Sequence, residues 1–331
     1  MAFDNIRLDK GLYATGGSFT QALEGIDPGE QYRGTALEGL DAYERQLKRF
    51  GIRVSGAGSD RVEKFFSSCD TAALFPEYIA RAVRQGLERA DKLGDIVAAT
   101  TMIDGMDYRS VSSVTDAGAD NPTAEGEALP KTQVRTKSVL VNMRKHGRLL
   151  SASYEALRYH RLDLFTVALR QIGAEIAGEL LADAVEVLID GDGNTGTAAG
   201  TVAMGGTELA YDDLIALWNS FGPFAMTTLL AGADMARGIL ALAELRDGCA
   251  GLDFHGSGKL VTPLGAQLVK SAAVPAGKLV ALDKNCALEM VKSGGIVTDY
   301  DKLMGRQLER AAISTSVGFA KVFPGAAVVL E

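Results

Sequence analysis

The chain has 331 residues, 47% hydrophobic and 23% charged. It is long enough for more than one core, and its composition is that of a globular protein, which excludes disorder as the default. The net charge is -8 and no basic patch is visible, so tight sequence-specific nucleic-acid binding is excluded, although an acidic shell could surround nucleic acid without gripping it.

Residues 1–35 are glycine-rich and polar without a sustained period, and they predict an extended arm. Met1–Arg7 has no apolar run of signal-peptide type. Thr35-Ala36-Leu37-Glu38 has the form of a capping box. Leu37, Leu40, Tyr43, Leu47 and Phe50 follow at helical spacing, which predicts a helix over 36–50. Gly51–Ser59 is a break. Phe75-Pro76 opens a second helix, with proline at a favourable first position and Ile79, Val83 and Leu87 as its stripe. Two short amphipathic helices bury little against each other, so they either pad the main body or dock on a neighbouring subunit.

Residues 95–103 read as a strand entering the body. Residues 104–144 then form a polar, hairpin-like excursion. Tyr108–Thr115 is the outgoing strand. The tip, Asp116–Pro130, carries Asp116, Asp120, Glu125 and Glu127, with Leu129 as its one large apolar residue. The returning segment carries Lys131, Arg135, Lys137, Arg144 and Lys145, with Val134, Val139 and Val141 as β-branched content. A two-stranded ribbon is marginal in water by itself, so this one is expected to lie on another molecule. Its charges read either as a solvated face or as groups that steer and register docking.

Residues 160–190 carry apolar positions at Phe165, Leu169, Ile172, Ile176, Leu180, Ala184 and Leu188, a sustained helical step. Gly173 and Gly178 lie inside this helix, where they allow a bend or close packing. Asp190-Gly191-Asp192-Gly193-Asn194 ends it, and Thr195–Gly206 reads as a loop. Mixed α/β texture follows: a helix capped by Asp212 through Trp218, a strand at Met226–Ala231, and a helix at Met235–Leu245. Lys259–Thr262 reads as strand and Pro263–Ser271 as helix. Strands follow at Lys278–Leu282, Ala287–Val291, Ile313–Val322 and Ala326–Leu330. The most apolar stretch, Phe221–Leu245, is broken by Pro223, Asp234 and Arg237 and cannot span a membrane.

The chemical inventory is empty. Asp190–Asn194 starts like a calcium-binding loop, but Thr195 and Thr201 stand where glycine and a bidentate glutamate are needed. Gly256-Ser257-Gly258-Lys259 fails as a phosphate loop, with Asp253 and Leu260 at the required glycine and hydroxyl positions. Cys69, Cys249 and Cys286 are too few and too scattered for a disulfide framework or a zinc site. His146, His160 and His255 lack metal spacing. Cys249 and His255, with Asp253 between them, leave a thiol-dependent cytoplasmic hydrolase as an alternative of another class. A calcium-stabilised tail or adhesion protein is a further alternative. No cofactor, no metal and no enzymatic activity are expected.

The order of parts resembles the major capsid proteins of tailed bacteriophages, the Hong Kong 97-type fold. This α+β fold has an N-terminal arm, an extended β-hairpin loop, a peripheral domain with a long spine helix, and an axial mixed α/β domain. The resemblance places the arm at 1–94 and the first part of the peripheral domain at 95–204, including the extended loop 104–138 and spine helix 160–190. It places the axial domain at 205–305 and the closing peripheral strands at 306–331, with Ile313–Ala326 as their signature stretch. It implies hexamers and pentamers closing into an icosahedral shell around phage DNA, with the loop lying across an adjacent subunit. Asp116, Asp120, Glu125, Glu127, Lys131, Arg135 and Lys137 would then serve assembly, and Gly51, Gly56, Gly58, Gly118 and Gly126 would act as hinges. It also implies a separate scaffold protein, a portal, double-stranded DNA held without sequence specificity, no membrane partner, and a virion location after assembly in the bacterial cytoplasm. Some family members cross-link lysine to asparagine; Lys131 and Asn285 are available types, but nothing marks them as a pair. An encapsulin-type nanocompartment shell is the alternative within the same fold.

Overall fold

The computed structural model describes residues 6–14, 19–115, 122–129, 131–153, 155, 159–246 and 264–331. In chain order the helices are α1 (Phe19–Ile26), α2 (Ala42–Arg49), α3 (Cys69–Ala90), α4 (Leu162–Asp190), α5 (Tyr211–Asn219), α6 (Ala233–Ala241) and α7 (Ala243–Arg246). The strands are β1 (Val97–Ile103), β2 (Val111–Thr115), β3 (Thr132–Thr136), β4 (Met143–Ser153), β5 (Gly200–Val202), β6 (Thr228–Ala231), β7 (Gln267–Lys270), β8 (Leu279–Leu282), β9 (Leu288–Leu303), β10 (Leu308–Lys321) and β11 (Ala327–Leu330). The chain divides into two compact units. One comprises Met1–Ala90, Gly147–Ile176 and Ile296–Thr315; the other comprises Asp91–His146, Ala177–Gly295 and Ser316–Glu331.

The first unit is mainly helical. Its leading segment, expected to be extended, contains α1 and short 3-10 turns at Lys10–Ala14 and Gly29–Tyr32. Phe19, Leu23 and Tyr32 are buried. Arg45 organises this segment and is fully buried. Its guanidinium donates to Asp27 Oδ2 at 2.9 Å, to the Leu40 carbonyl at 2.7 Å and to Glu24 at 3.3 Å, and it lies 4.7 Å from the Tyr32 ring centre. A buried charge saturated in this way is tolerated, whereas a bare one is not.

The predicted helix over 36–50 starts later, at Ala42. Gly39 has a φ of 80°, which interrupts the first turn. The capping box is formed by Asp41 and Glu44 instead: Glu44 N–H donates to Asp41 at 2.8 Å and Asp41 N–H donates to Glu44 at 3.2 Å. α3 begins before Phe75, at Cys69, because Ser68 caps it by accepting from Thr71 N–H at 3.1 Å. Pro76 therefore lies inside the helix, where buried Leu74, Phe75, Tyr78 and Ile79 outweigh the lost hydrogen bond. Phe75 stacks on Phe165 with ring centres 6.2 Å apart and meets Tyr300 edge-on at 5.9 Å.

Within this unit α3 and α4 touch backbone to backbone through glycines. A Cβ on Gly86 would lie 2.0 Å from the Arg170 carbonyl oxygen, and one on Gly173 would lie 2.1 Å from that of Val83. Gly173 is thus a close-packing glycine. Gly178 meets nothing within 4 Å and has no such role.

The second unit holds a mixed five-stranded sheet in the order β5-β11-β8-β6-β7. β6, β8 and β11 are buried throughout, as expected for central strands with helices nearby. Leu214, Leu217, Met235, Ala236 and Ile239 from α5 and α6 pack with Leu229, Leu279, Ala281 and Leu330 of the sheet. Asp213 rather than Asp212 caps α5, accepting from Ala210 N–H at 2.8 Å and Gly205 N–H at 2.9 Å. Pro263–Ser271 was expected to be helical, yet Gln267–Lys270 pairs parallel with β6 as β7. Gly265, at φ 81°, precludes a continuous helix there. β5 sits inside the expected loop 195–206, and Lys259–Thr262 lies outside the described residues.

A four-stranded sheet runs β1-β9-β10-β4, with β1 parallel to β9, and a separate two-stranded ribbon pairs β2 with β3. β4 was not anticipated: its exposure is mixed along its length, without the alternation that marks a half-buried strand. Among the described residues no helix is long and apolar enough to cross a membrane.

The glycine contacts predict opposite signs for one chemical change. Gly86→Ala or Gly173→Ala should lower stability by about 2 kcal/mol or more through overpacking. Gly178→Ala should raise it by about 0.5–1 kcal/mol through helix propensity. Equal melting shifts for the three variants would refute the close crossing.

Candidate functional site

The ribbon is a regular antiparallel pair, from Val111 opposite Thr136 to Thr115 opposite Thr132. Its surface is wet. Leu129 is 80% and Val134 72% exposed, and Glu125, Glu127, Lys131 and Arg135 are exposed. Gly126, at φ 84°, makes the turn that brings Glu127 N–H to the Ala124 carbonyl at 3.1 Å. The Arg135 guanidinium lies along its own strand, donating to Gln133 Oε1 at 2.6 and 3.2 Å. Asp116, Asp120 and Gly118 lie outside the described residues.

The two feet of the ribbon are built differently. On the entering side, Glu289 of β9 is 6% exposed. Its carboxylate accepts from Thr101 Oγ1 at 2.6 Å, from Tyr108 OH at 2.8 Å and from Ser110 Oγ. Three hydroxyls replace the water that this carboxylate lost. Burial, followed by the hydrogen bond to Glu289, holds the Tyr108 phenol above its ordinary pKa.

On the leaving side, Lys137 and Asp192 form an ion pair at 2.7 Å, with their side chains 7% and 2% exposed. Lys137 was expected among the exposed charges of the stem; it is buried, and its ammonium also donates to the Lys321 carbonyl. Lys321 N–H donates to the same Asp192 oxygen at 3.1 Å. The Lys321 ammonium, 0% exposed, donates to the Leu188 carbonyl at 3.0 Å. That carbonyl is one of the last four of α4, which have no partner within the helix and carry its negative end. The feet are also tied together: Lys137 N–H donates to Ser110 O and Val141 N–H to Tyr108 O, both at 2.8 Å.

Gly191 permits this corner. Its φ is 94°, and a Cβ there would lie 2.7 Å from Thr197 Oγ1. The stretch 190–194, which begins like a calcium loop, therefore presents Asp192 to an ammonium. Among the described residues no group of three histidine, cysteine or acidic side chains could hold a metal. Cys249, Asp253, His255 and the 256–259 stretch lie outside the described residues.

Burial alone would raise the Asp192 pKa. Hydrogen bonds from Lys137 and Thr197, the Lys137 charge and the Asn194 backbone outweigh it and bring the value to about 2. For Lys321, desolvation lowers the pKa to about 8, reinforced by Lys137 and opposed by Asp192. Beside the feet, Arg144 of β4 reaches Asp183 at 2.8 Å and Glu186 at 2.6 Å on α4. The hydrogen bond from Arg144 pulls the Glu186 carboxyl below its usual range.

Sequence reasoning missed Glu289 and Lys321. The signal was present at Lys321, a lone cation in the apolar run Val317–Phe323.

Removing one partner of a buried pair strands the other, so Lys137→Ala or Asp192→Ala should cost about 3–5 kcal/mol in chemical denaturation. Arg135→Ala should stay within about 0.5 kcal/mol. A pH test isolates Lys321. Its pKa is about 8 in the fold against 10.5 in the free side chain, so between these values the unfolded chain holds more protons and stability rises with pH. The rise should be about 3 kcal/mol in total, and Lys321→Met should flatten it. A variant that keeps the wild-type slope would assign the rise to other groups.

The assembled features have relatives. A family model described as phage capsid protein matches residues 136–314, more than half of the chain. A search of curated proteins finds no match. Among solved structures, the virus-like particle from Pyrococcus furiosus superposes with a TM-score of 0.52 at 13% identity, covering 77% of this chain and 98% of that one. The capsid of a native GTA particle gives 0.54 at 15% identity, covering 74% and 89%. A structure from Microbacterium phage Oxtober96 gives 0.50 at 11% identity, covering 72% and 90%. At these identities the likeness is one of fold, and that fold is the mixed α+β architecture of the Hong Kong 97 type. With its matched region running from the foot of the ribbon into β10, this chain belongs to the phage capsid protein family.

Proposed function

We propose that this chain is the major shell subunit of a phage particle, assembling as hexamers and pentamers into an icosahedral shell around double-stranded DNA. The observation that carries this reading is the mounted ribbon. Its feet are fixed by buried polar groups, while its strands and tip present apolar and charged side chains to solvent. Ordering such a ribbon has a conformational cost that its own contacts do not offset, and a neighbouring subunit supplies the missing burial. The capsid of the GTA particle among its structural relatives supports the same reading.

On this reading the loop 104–138 lies across an adjacent subunit and the 205–305 region gathers around the local symmetry axis. Each contact is modest, and repetition over the shell multiplies it through effective concentration. A separate scaffold and a portal complete the assembly. The DNA is held without sequence recognition, in keeping with a net charge of -8. The role is structural rather than catalytic. The likeness to a virus-like particle keeps a second reading in view, a nanocompartment whose shell encloses cargo protein. Nucleic-acid content of purified particles separates the two.

Deleting 117–129 should leave a subunit with an unchanged melting temperature that no longer forms shells in negative-stain images; normal shell yield would remove the ribbon from the mechanism. Arg135→Glu should slow assembly most at low ionic strength, since exposed charges are screened beyond about 8–10 Å in physiological salt. Equal slowing at all salt concentrations would show that the arginine does not act through its charge. Lys137 is unsuitable for this test, because reversing a buried charge would unfold its foot.

A further inference from the structure

Four strands stand at the edges of the two larger sheets: β1 and β4 of one, β5 and β7 of the other. An edge strand carries a row of backbone groups that can pair with another chain, and folds guard such rows with charge, proline or brevity. β4 carries Arg144, Lys145, His146 and Arg148. β7 ends on exposed Lys270, whose carbonyl accepts from Lys92 Nζ at 2.5 Å. β5 has three residues. β1 has none of these guards. Its seven residues, Val97-Ala98-Ala99-Thr100-Thr101-Met102-Ile103, include no charge and no proline.

The edge is also accessible. β1 pairs with β9 alone, and among the described residues no backbone group of 97–103 bonds outside that pairing. Ala98, Ala99 and Thr100 are exposed, and Met102 is 62% exposed. The register with β9 shifts between Val97 and Ala99 and runs evenly from Ala99 to Ile103, so most of the free edge is regular. The other side is fixed. Thr101 Oγ1 donates to buried Glu289 at 2.6 Å, and Thr101 and Ile103 are half-buried. β1 is held on one side and open on the other.

We infer that β1 pairs antiparallel with β1 of a second copy of the chain across a two-fold axis, joining two sheets into one; the second copy comes from the shell reading, on which this pairing rests. The residues select its register. With Thr100 opposite Thr100, Ala99 faces Thr101, Ala98 faces Met102 and Val97 faces Ile103, so the whole strand is used and exposed Ala98, Thr100 and Met102 share one face. Asp95 and Asp104, which flank the strand, then stand opposite Gly105 and Ile96. A slip of one residue joins the half-buried face of one copy to the wet face of the other, and it sets Asp104 against Asp95 in one direction or Val97 in the other. A two-fold contact needs such self-complementarity, whereas a strand from a foreign protein places no demand on it.

Thr100 is the one residue of β1 that faces itself in this register, so a cysteine placed there is the test. In the full-length chain, Thr100→Cys should give a disulfide-linked dimer on treatment with diamide, which takes up the two hydrogens of the paired thiols. Ala98→Cys and Met102→Cys, tested singly, should not exceed the background that Cys69, Cys249 and Cys286 set in the wild-type chain. Thr100→Lys, which opposes two cations, should lower shell yield by about tenfold with an unchanged melting temperature. Met102→Lys, at a more exposed position, serves if that variant melts early. Shells without a Thr100→Cys dimer, equal cross-linking at all three positions, or undiminished yield from the lysine variants overturn the pairing and leave the shell reading standing. Cross-linking to a different protein overturns it in favour of a foreign strand. A chain that forms no shells yet cross-links through Thr100→Cys refutes the shell reading and keeps the pairing; with neither, both fall.

Discussion

The buried ion pair between Lys137 and Asp192 is the constraint on which the rest depends. It joins the foot of the ribbon to the turn that ends α4, and through Lys321 it reaches the end of β10. The Lys137 ammonium and the Lys321 backbone N–H share one carboxylate, and the buried Lys321 ammonium leaves an excess positive charge in a dry place. The Leu188 carbonyl at the negative end of α4 meets that excess. An apolar contact at the same point would give comparable stability and no direction. Paired charges with every donor placed give one geometry, and a projecting arm needs a fixed point of departure.

The same solution recurs at two other buried charges among the described residues. Glu289 is surrounded by three hydroxyls, and Arg45 by two carboxylates, two carbonyls and an aromatic face. In each case the charged group ties together segments far apart in sequence. The division of labour follows from dielectric environment. Dry feet make their interactions strong and single-valued, whereas the wet ribbon keeps its charges weakly committed and available to a partner. A shell subunit needs both, since its own fold must be complete before assembly and its contacts must form and correct themselves during assembly.

Much of the fold was legible in the sequence. Of the α4 stripe, Leu169, Ile176, Leu180, Ala184 and Leu188 are buried, while Phe165 and Ile172 are half-buried. The stop at Gly191 was legible because a positive φ after a helix is a local requirement that glycine meets. The two strands of the ribbon and the apolar strands β8 and β11 were visible for the same reason, since period and turn chemistry are written in neighbouring residues. The order of these parts along the chain by itself points to the capsid family.

Other features were decided only by the tertiary structure. The Thr35–Glu38 box lost to the Asp41–Glu44 box because Gly39 turned the backbone, and α3 passed through Pro76 because Ser68 capped it and its apolar face was buried. β7 became a strand because β6 offered it a parallel edge. Lys137 read as one more stem cation, yet its carboxylate partner lies 55 residues away and its second lysine 184 away. Local sequence determines the period of an element and where it stops, because those depend on adjacent dihedrals and side chains. Whether a charge is wet or dry depends on which distant atoms the fold brings against it, and only the assembled tertiary structure decides that.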